Sequence, residues 1–194
     1  MVRRYKPQIV FLLIGGMSLF ESAVPAFGTA GTGGFAVRCD GLASYSMYEQ
    51  ALTTVFMILF GINFSIYFFL LCRKYKLAWQ NSELEWYIGI ILAAITLITL
   101  NLFFTGGYFS TVSETIHHVA FSVGSVITTT GYATTDFNLW PGLSKCILLL
   151  LMFVGGCAGS TAGGLKVSRV LLLLKTIARE LRHMLHPRSV GVIQ

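Results

Sequence analysis

The sequence predicts an all-α membrane protein in which membrane-spanning helices alternate with shorter re-entrant helices. Of its 194 residues, 55% are apolar and only 11% are charged, about half the charged fraction of a soluble domain. The apolar residues form four long blocks, and two of the connections between them are rich in glycine and threonine. These observations predict repeats of span, re-entrant helix and span, with a last span that glycines break.

Four apolar blocks give the predicted spans. Residues 8–20 are fewer than the roughly 20 residues that cross a bilayer as a helix, so they form a short first span. Residues 48–72 and 86–104 are long enough to cross. The fourth block, 139–185, is interrupted by the glycine-rich segment 155–166.

The basic residues decide the predicted orientation. They gather beside the apolar blocks in three groups: Arg3, Arg4 and Lys6; Arg73, Lys74 and Lys76; and the stretch from Lys166 to Arg188. Cytoplasmic flanks of membrane proteins carry such an excess of Lys and Arg, so the net charge of +6 does not indicate nucleic-acid binding. Segments 21–50 and 105–138 are then external, and Trp86 and Tyr87 are expected at a membrane interface.

The chain divides into two units of the same design. The first unit comprises residues 1–75, with the short first span, a re-entrant helix and loop at 21–35, and the inner span 48–72. The second unit comprises residues 76–194, with the span 86–104, a re-entrant helix and loop at 113–133, and the broken inner span 139–185. Non-helical backbone at membrane depth survives only when it is buried in protein or lines a wet cavity.

The two glycine- and threonine-rich loops have the composition of a cation filter. Backbone carbonyls replace the hydration shell of an ion in such filters, and glycine permits the dihedral angles that this requires. The predicted ion-binding residues of the second unit are Thr129, Thr130 and Gly131, which with Tyr132 resemble the Thr-Val-Gly-Tyr core of potassium-channel filters. In the first unit they are Gly31, Thr32 and Gly33, if Gly33 is aligned on Gly131, 98 positions later.

Ordinary external loops are the alternative for each segment taken alone. Two copies in equivalent positions between spans favour the filter interpretation for both.

The glycine-rich break in the last span is the third notable segment. Its five glycines are Gly155, Gly156, Gly159, Gly163 and Gly164. Each costs a helix about 1 kcal/mol relative to alanine, so a non-helical intramembrane loop that acts as a movable barrier is favoured. Close helix packing through the four-residue glycine spacing is the alternative. A phosphate-binding loop is excluded, because Leu165 separates the glycines from Lys166.

Lys166 strengthens the barrier interpretation. A cation within a span is costly and normally faces a wet interior, where Lys166 would repel permeating ions or pair with a carboxylate. Snorkelling of its ammonium group to the cytoplasmic interface is the alternative.

Several of these motifs together resemble the bacterial Trk/Ktr-type potassium uptake proteins. GGCAGSTAGGLK, followed by a basic helix and HPRS, is similar to their third repeat. LFESAVPAFGTAGTGGF resembles the pore helix and filter of the second repeat, and TTTGYATTDFNLWP resembles the third filter. Cys157-Ala158-Gly159 favours the Trk branch.

The resemblance implies a potassium-channel-like fold with four span–pore-helix–span repeats around one pore. It implies ion coordination at the six filter residues given above, and gating by the loop 155–166 with Lys166. It also implies K⁺ as the transported ion, no cofactor in this chain, a bacterial cytoplasmic membrane location, a homodimer and a cytosolic nucleotide-binding regulatory subunit.

Only two of the four repeats of the family are present in this chain. The first unit, which resembles the second repeat of the family, lacks most of its first span. We therefore expect a fragment that needs the missing repeats to form a pore. A half-size protein that pairs with a second copy is the alternative, and so is a non-conducting scaffold or assembly subunit.

An enzyme is not expected. His117-His118 is the one pair suited to acid–base or metal chemistry, and no carboxylate or cysteine stands at ligand spacing from it. Glu114 more plainly serves to cap the re-entrant helix.

Overall fold

The computed structural model describes residues 5–73, 82–106, 108–109 and 111–185, and all regular secondary structure in them is helical. The α-helices are α1 (Tyr5–Ile14), α2 (Leu19–Ala30), α3 (Met47–Phe60), α4 (Phe64–Leu71), α5 (Ser82–Thr105), α6 (Val112–Ile127), α7 (Gly142–Phe153) and α8 (Val167–Leu185). A short 3₁₀ helix covers Phe137–Leu139. The all-α prediction is confirmed.

Local sequence signals set where several helices begin. Ser18 and Glu21 form a reciprocal capping box at the start of α2, and Ser46 and Glu49 form another at the start of α3. Each box satisfies two backbone N–H groups that a helix start leaves without partners. The amide of Glu114 donates to the Thr111 hydroxyl at the start of α6.

The second unit is built around one face of α5. Its buried residues recur every three or four positions, as expected for a helix with one packed face; they are Tyr87, Ile91, Ala94, Ile98 and Leu102. This face packs against the buried side of α6 and, through Leu148 and Leu151, against α7. The opposite face of α5 exposes large apolar side chains such as Leu97 and Phe103, which suits contact with lipid.

The re-entrant helix α6 joins the two units. Phe121 of α6 and Tyr132 just after it are buried in a cluster with Leu12, Leu42 and Met57 of the first unit. This shared cluster fixes the predicted filter loop of the second unit against the first unit.

Among the described residues, α5 is the one single helix long and apolar enough to cross a membrane. Helices α3 and α4 pass the same test together but meet at an angle of 93°. Helices α1 and α7 are apolar and shorter. The predicted block 8–20 is divided, because α1 ends at Ile14 and Ser18 caps a new helix. Arg3, Arg4, Lys74, Lys76 and the HPRS motif, with Arg188, lie outside the described residues.

The sequence predicts one inner span over 48–72, whereas the structure breaks it between Gly61 and Asn63. The Asn63 side chain accepts a hydrogen bond from the amide of Ser65, 2.9 Å away, and so starts a new helix. The carbonyl of Gly61 accepts from the amide of Cys157 at 2.9 Å. A tertiary partner thus replaces a helical hydrogen bond, and the uniform apolarity of this block gives no hint of it.

Of the two aromatic residues predicted at a membrane interface, Tyr87 faces the interior of the protein. Its side chain is fully buried, and its hydroxyl donates to the carbonyl of Ile58 at 3.2 Å. Trp86, which is 55% exposed, is the outward-facing member of the pair.

The contact between Tyr87 and the break in the inner helix gives a stability prediction. A Cβ atom at Gly61 would overlap the Tyr87 hydroxyl and lie 3.0 Å from its Cζ. We expect Gly61→Ala to lower the free energy of unfolding by about 1–3 kcal/mol, the usual cost of overpacking. Thermal unfolding in detergent measures it.

Gly89→Ala is the matched control, since Gly89 lies on α5 and has no neighbour within 4 Å of an added Cβ. Adding Tyr87→Phe should recover part of the loss at Gly61. Equal melting temperatures for Gly61→Ala and Gly89→Ala would contradict the prediction.

Candidate ion filter and intramembrane loop

The two predicted filter loops leave their re-entrant helices through the same hydrogen-bond pattern. In the first unit the amides of Gly31, Thr32 and Gly33 donate to the carbonyls of Phe27, Thr29 and Gly28. In the second unit the amides of Thr128, Thr129 and Thr130 donate to the carbonyls of Gly124, Val126 and Ser125. Every donor and acceptor of the second set lies 97 positions after its counterpart.

This pattern corrects the predicted alignment by one residue. Thr32 (φ 51°) and Thr129 (φ 55°) are equivalent left-handed positions, and so are Gly34 (φ 65°) and Gly131 (φ 86°). Gly34, and not Gly33, is therefore the counterpart of Gly131. The first loop contains two adjacent glycines, so sequence alone cannot fix the register; the end of the re-entrant helix does.

The hydrogen bonds also orient the loop carbonyls. In a trans peptide the N–H and the preceding C=O point in opposite directions, and the described chain contains no cis peptide. The amides of Thr129 and Thr130 point back at α6, so the carbonyls of Thr128 and Thr129 point away from it. The same reasoning turns the carbonyls of Gly31 and Thr32 away from α2. Each loop thus presents backbone oxygens on the side opposite its helix.

The two loops lie against each other. The Tyr132 hydroxyl donates to the carbonyl of Phe35 at 2.8 Å, which places the outer ends of the loops side by side. A Cβ atom at Gly34 would overlap the carbonyl oxygen of Thr130, so the two backbones also touch one or two residues before these outer ends. This is the adjacency required of two segments that share one axis.

The glycine-rich segment forms a closed, non-helical loop between α7 and α8. Its two ends pair: the amide of Gly155 donates to the carbonyl of Leu165 at 2.8 Å, and the amide of Leu165 donates to the carbonyl of Phe153 at 3.1 Å. An added Cβ at Gly155 would overlap the carbonyl of Gly163. Glycine is therefore required at position 155, where the first and last parts of the loop approach each other. Helix packing through these glycines is excluded, because they are not in a helix.

The loop lies directly against the inner ends of both filter segments. The Thr32 hydroxyl donates to the carbonyl of Thr161 at 3.0 Å. The amide of Gly163 donates to the Thr129 hydroxyl at 2.7 Å. Equivalent threonines of the two units therefore bind the same loop from two sides, a convergence that the sequence did not predict.

Lys166 binds a backbone carbonyl within the same loop. Its half-buried side chain donates from Nζ to the carbonyl of Ala162, four residues earlier. The ammonium group thus satisfies a backbone oxygen of the loop itself, a partner that the sequence interpretations (repulsion of ions, pairing with a carboxylate, or snorkelling to the cytoplasmic interface) did not include.

Sequence analysis missed two residues that hold the loop. Asn63 lies against Gly159, whose added Cβ would sit 3.2 Å from Asn63 Oδ1. Glu83 accepts a hydrogen bond from the amide of Ala158 at 2.6 Å. A carboxylate at the start of an apolar span was the available signal for Glu83.

The predicted external side carries the ionic contacts near the filter. Arg38 Nη2 lies 3.2 Å from Glu21 Oε1, and its guanidinium stacks 4.6 Å above the ring of Tyr45. The hydrogen bond with the Glu21 carboxylate raises the pKa of Arg38 above its usual value. This contact ties the start of α2 to the segment that leaves the first filter.

His117 and His118 each make a side-chain hydrogen bond within the protein. His117 Nε2 lies 2.9 Å from Gln50 Oε1, and His118 Nδ1 lies 3.1 Å from the Thr134 hydroxyl. His118 also stacks on Phe109. The described residues contain no group of three or more His, Cys, Asp or Glu arranged to hold a metal ion.

Comparison with known proteins gives consistent matches. Residues 13–193 match the family model of TrkH, described as a cation transport protein. The chain is 36% identical over 185 residues to the Trk system potassium uptake protein TrkH of Escherichia coli K12, covering 94% of this chain and 38% of that protein. It is 37% identical over 186 residues to the protein of the same name from Salmonella typhimurium, with the same coverage.

The fold matches as well. The crystal structure of the potassium transporter TrkH from Vibrio parahaemolyticus superposes with a TM-score of 0.90 at 30% identity, covering 98% of this chain and 41% of that one. The chain thus spans about two fifths of the length of the relatives that it matches, and the predicted potassium-channel-like membrane fold is confirmed.

The corrected filter register predicts unequal tolerance of two adjacent glycines. Gly34 has a positive φ and faces the Thr130 carbonyl, whereas an added Cβ at Gly33 would meet only the ring of Phe35, which is 72% exposed and free to turn. We expect Gly34→Ala to cost at least about 1–2 kcal/mol through strain, and Gly33→Ala clearly less. Thermal unfolding of both variants measures the difference, and a larger loss for Gly33→Ala would restore the sequence alignment.

Proposed function

Because the chain belongs to the TrkH family of cation transport proteins, we propose that it supplies two of the filter segments of a potassium-conducting pathway, together with the loop that gates it. The ion would be held by backbone oxygens of Gly31, Thr32 and the following residues of the first unit, and of Thr129 to Gly131 in the second. The mechanism needs no cofactor in this chain. Potassium is the ion named in the matched relatives, and it comes to this chain as part of the proposal.

The observation that carries the proposal is the contact of the glycine-rich loop with both filter threonines. The helices α2 and α6 begin on the predicted external side, so Thr32 and Thr129, just after their ends, lie deepest in the membrane. A loop bound to these two residues stands across the inner exit of the filter. A dehydrated ion leaving the filter would meet the backbone of residues 161–163.

Gating then consists of breaking and reforming a few hydrogen bonds. Each such bond contributes about 0.5–1.5 kcal/mol net, so the two filter contacts hold the loop without fixing it permanently. A ligand or partner that favours the displaced loop by a few kcal/mol would shift the population substantially. The glycines of the loop allow its backbone to adopt a second conformation at low steric cost.

The surroundings of the pathway follow from the same proposal. Four-fold coordination requires two further filter segments, supplied by additional repeats or by a second copy. We place the protein as a multi-pass protein of the bacterial cytoplasmic membrane that works as a homodimer. The basic helix α8, with Arg179 and Arg182, would face a cytosolic nucleotide-binding regulatory subunit.

Blocking one filter position tests transport against a scaffold role. Gly131 and Gly106 both have positive φ and open space around an added Cβ, but only Gly131 lies in the proposed filter. We expect Gly131→Leu to abolish Rb⁺ uptake and growth at low potassium in a bacterium deficient in potassium uptake, and Gly106→Leu to retain most of both. Rb⁺ uptake by Gly131→Leu equal to that of an active unmodified protein would contradict the filter assignment, and no uptake by the unmodified protein would favour a non-conducting scaffold.

Removing a filter–loop contact tests the gate. Thr129→Val deletes the hydroxyl that accepts from Gly163 while keeping the side-chain shape, so the loop should leave the filter more often. We expect Rb⁺ uptake several-fold faster than in the unmodified protein, in line with the loss of about 1 kcal/mol of hydrogen bonding. Thr96→Val is the control, since Thr96 is exposed and its hydroxyl donates to the carbonyl of Ala93 in the same helix, α5. Unchanged Rb⁺ uptake in Thr129→Val would refute gating through the contact between Thr129 and Gly163.

A further inference from the structure

We infer that Glu83 is a positioning residue that fastens the glycine-rich loop from the cytoplasmic side and so sets how readily it moves. The inference rests on the proposed function, in which this loop is the gate. Glu83 lies in the first turn of α5 and is 8% exposed, whereas Glu85 on the same turn is exposed.

One oxygen of Glu83 binds both the loop and the helix that follows it. Oε1 accepts from the amide of Ala158, inside the loop, at 2.6 Å. It also accepts from the amide of Ser168, in the first turn of α8, at 3.3 Å. The loop and the helix that follows it are therefore pinned to α5 through a single carboxylate.

A carboxylate suits this position for electrostatic reasons. The first amides of a helix have no intrahelical partners, and the positive end of the helix dipole stabilises a nearby negative charge. Hydrogen bonds to an ionised acceptor are also stronger than those between neutral groups. A buried carboxylate is tolerated only with such partners, so the burial of Glu83 depends on the loop remaining beside it.

The two sides of the loop are held by different groups. Thr32 and Thr129 bind it at residues 161–163 from the filter side, and Glu83 binds it at Ala158 from the other side. A loop that moves away from the filter must carry Ala158 with it or break the contact with Glu83. The strength of the Glu83 contact therefore biases the equilibrium between the two loop positions.

Cys157 supplies a built-in reporter of this movement. It is adjacent to Ala158 and fully buried, whereas Cys39, Cys72 and Cys146 are exposed. Its amide is bonded to the carbonyl of Gly61, so a displaced loop exposes a thiol that the fastened loop hides. Reaction of this thiol measures loop position without reference to ion flux.

The experiment uses the full chain in liposomes, with the three exposed cysteines replaced by serine. The rate of Cys157 modification by a charged, membrane-impermeant thiol reagent is measured for Glu83→Ala, Glu83→Gln and the control Glu85→Gln, an exposed residue on the same turn. We expect an increase of at least about tenfold for Glu83→Ala, equivalent to roughly 1.4 kcal/mol, and a smaller increase for Glu83→Gln, which keeps an acceptor but loses the charge. Glu85→Gln should match the unmodified protein.

A second variant tests the same contact from the other side, in case Glu83→Ala does not fold. Ser168→Pro removes one donor in the first turn of α8, where the amide has no intrahelical partner. It should raise the Cys157 rate on its own, and less than additively when combined with Glu83→Gln, as expected for residues that share one contact. Equal Cys157 rates in Glu83→Gln, Ser168→Pro and Glu85→Gln would overturn the inference.

Rb⁺ flux into the same liposomes separates this inference from the proposed function. Cys157 rates that depend on Glu83 without any ion flux would support the fastening contact and contradict transport by this chain. Ion flux blocked by Gly131→Leu, with Cys157 rates indifferent to Glu83, would support transport and overturn the role of Glu83.

Discussion

Backbone polar groups at membrane depth have no water to bind, and the structure depends on how this chain satisfies them where it is not helical. The two predicted filter loops return their amides to the ends of α2 and α6, which leaves the preceding carbonyls facing away from those helices. The intramembrane loop pairs its own ends, and Lys166 and Glu83 bind further groups along it. Each irregular segment is therefore held by specific partners, and those partners are the residues on which function would depend.

The two units solve the same problem with different sequences. Both place a threonine in the left-handed conformation just after the re-entrant helix and a glycine in the same conformation two residues later. Both direct the threonine side chain to the glycine-rich loop. The conserved feature between the units is this backbone path and its hydrogen bonds, with little identity in the residues that follow it.

The inner helices of the two units are broken against each other. Helix α3 ends at Phe60. The carbonyl of Gly61, the next residue, accepts from the amide of Cys157, and the amide of Phe64 donates to the carbonyl of Gly159. The break in the first unit therefore has its partners in the loop of the second. Neither break would be stable alone in an apolar environment, because each supplies the hydrogen bonds that the other lacks.

The sequence by itself determined the all-helical membrane fold, the two glycine- and threonine-rich loops that follow the re-entrant helices, and the non-helical glycine-rich segment. Composition, the length of apolar blocks and clusters of glycine are local properties of the sequence. They can therefore be identified without knowing which residues are in contact. Tertiary structure decided the register of the first filter at Gly34, the break at Gly61 and the burial of Tyr87. It also brought Glu83 to the loop from 75 residues away. These depend on which distant group satisfies a given polar atom or fills the space beside a glycine, and that is settled only when the chain packs.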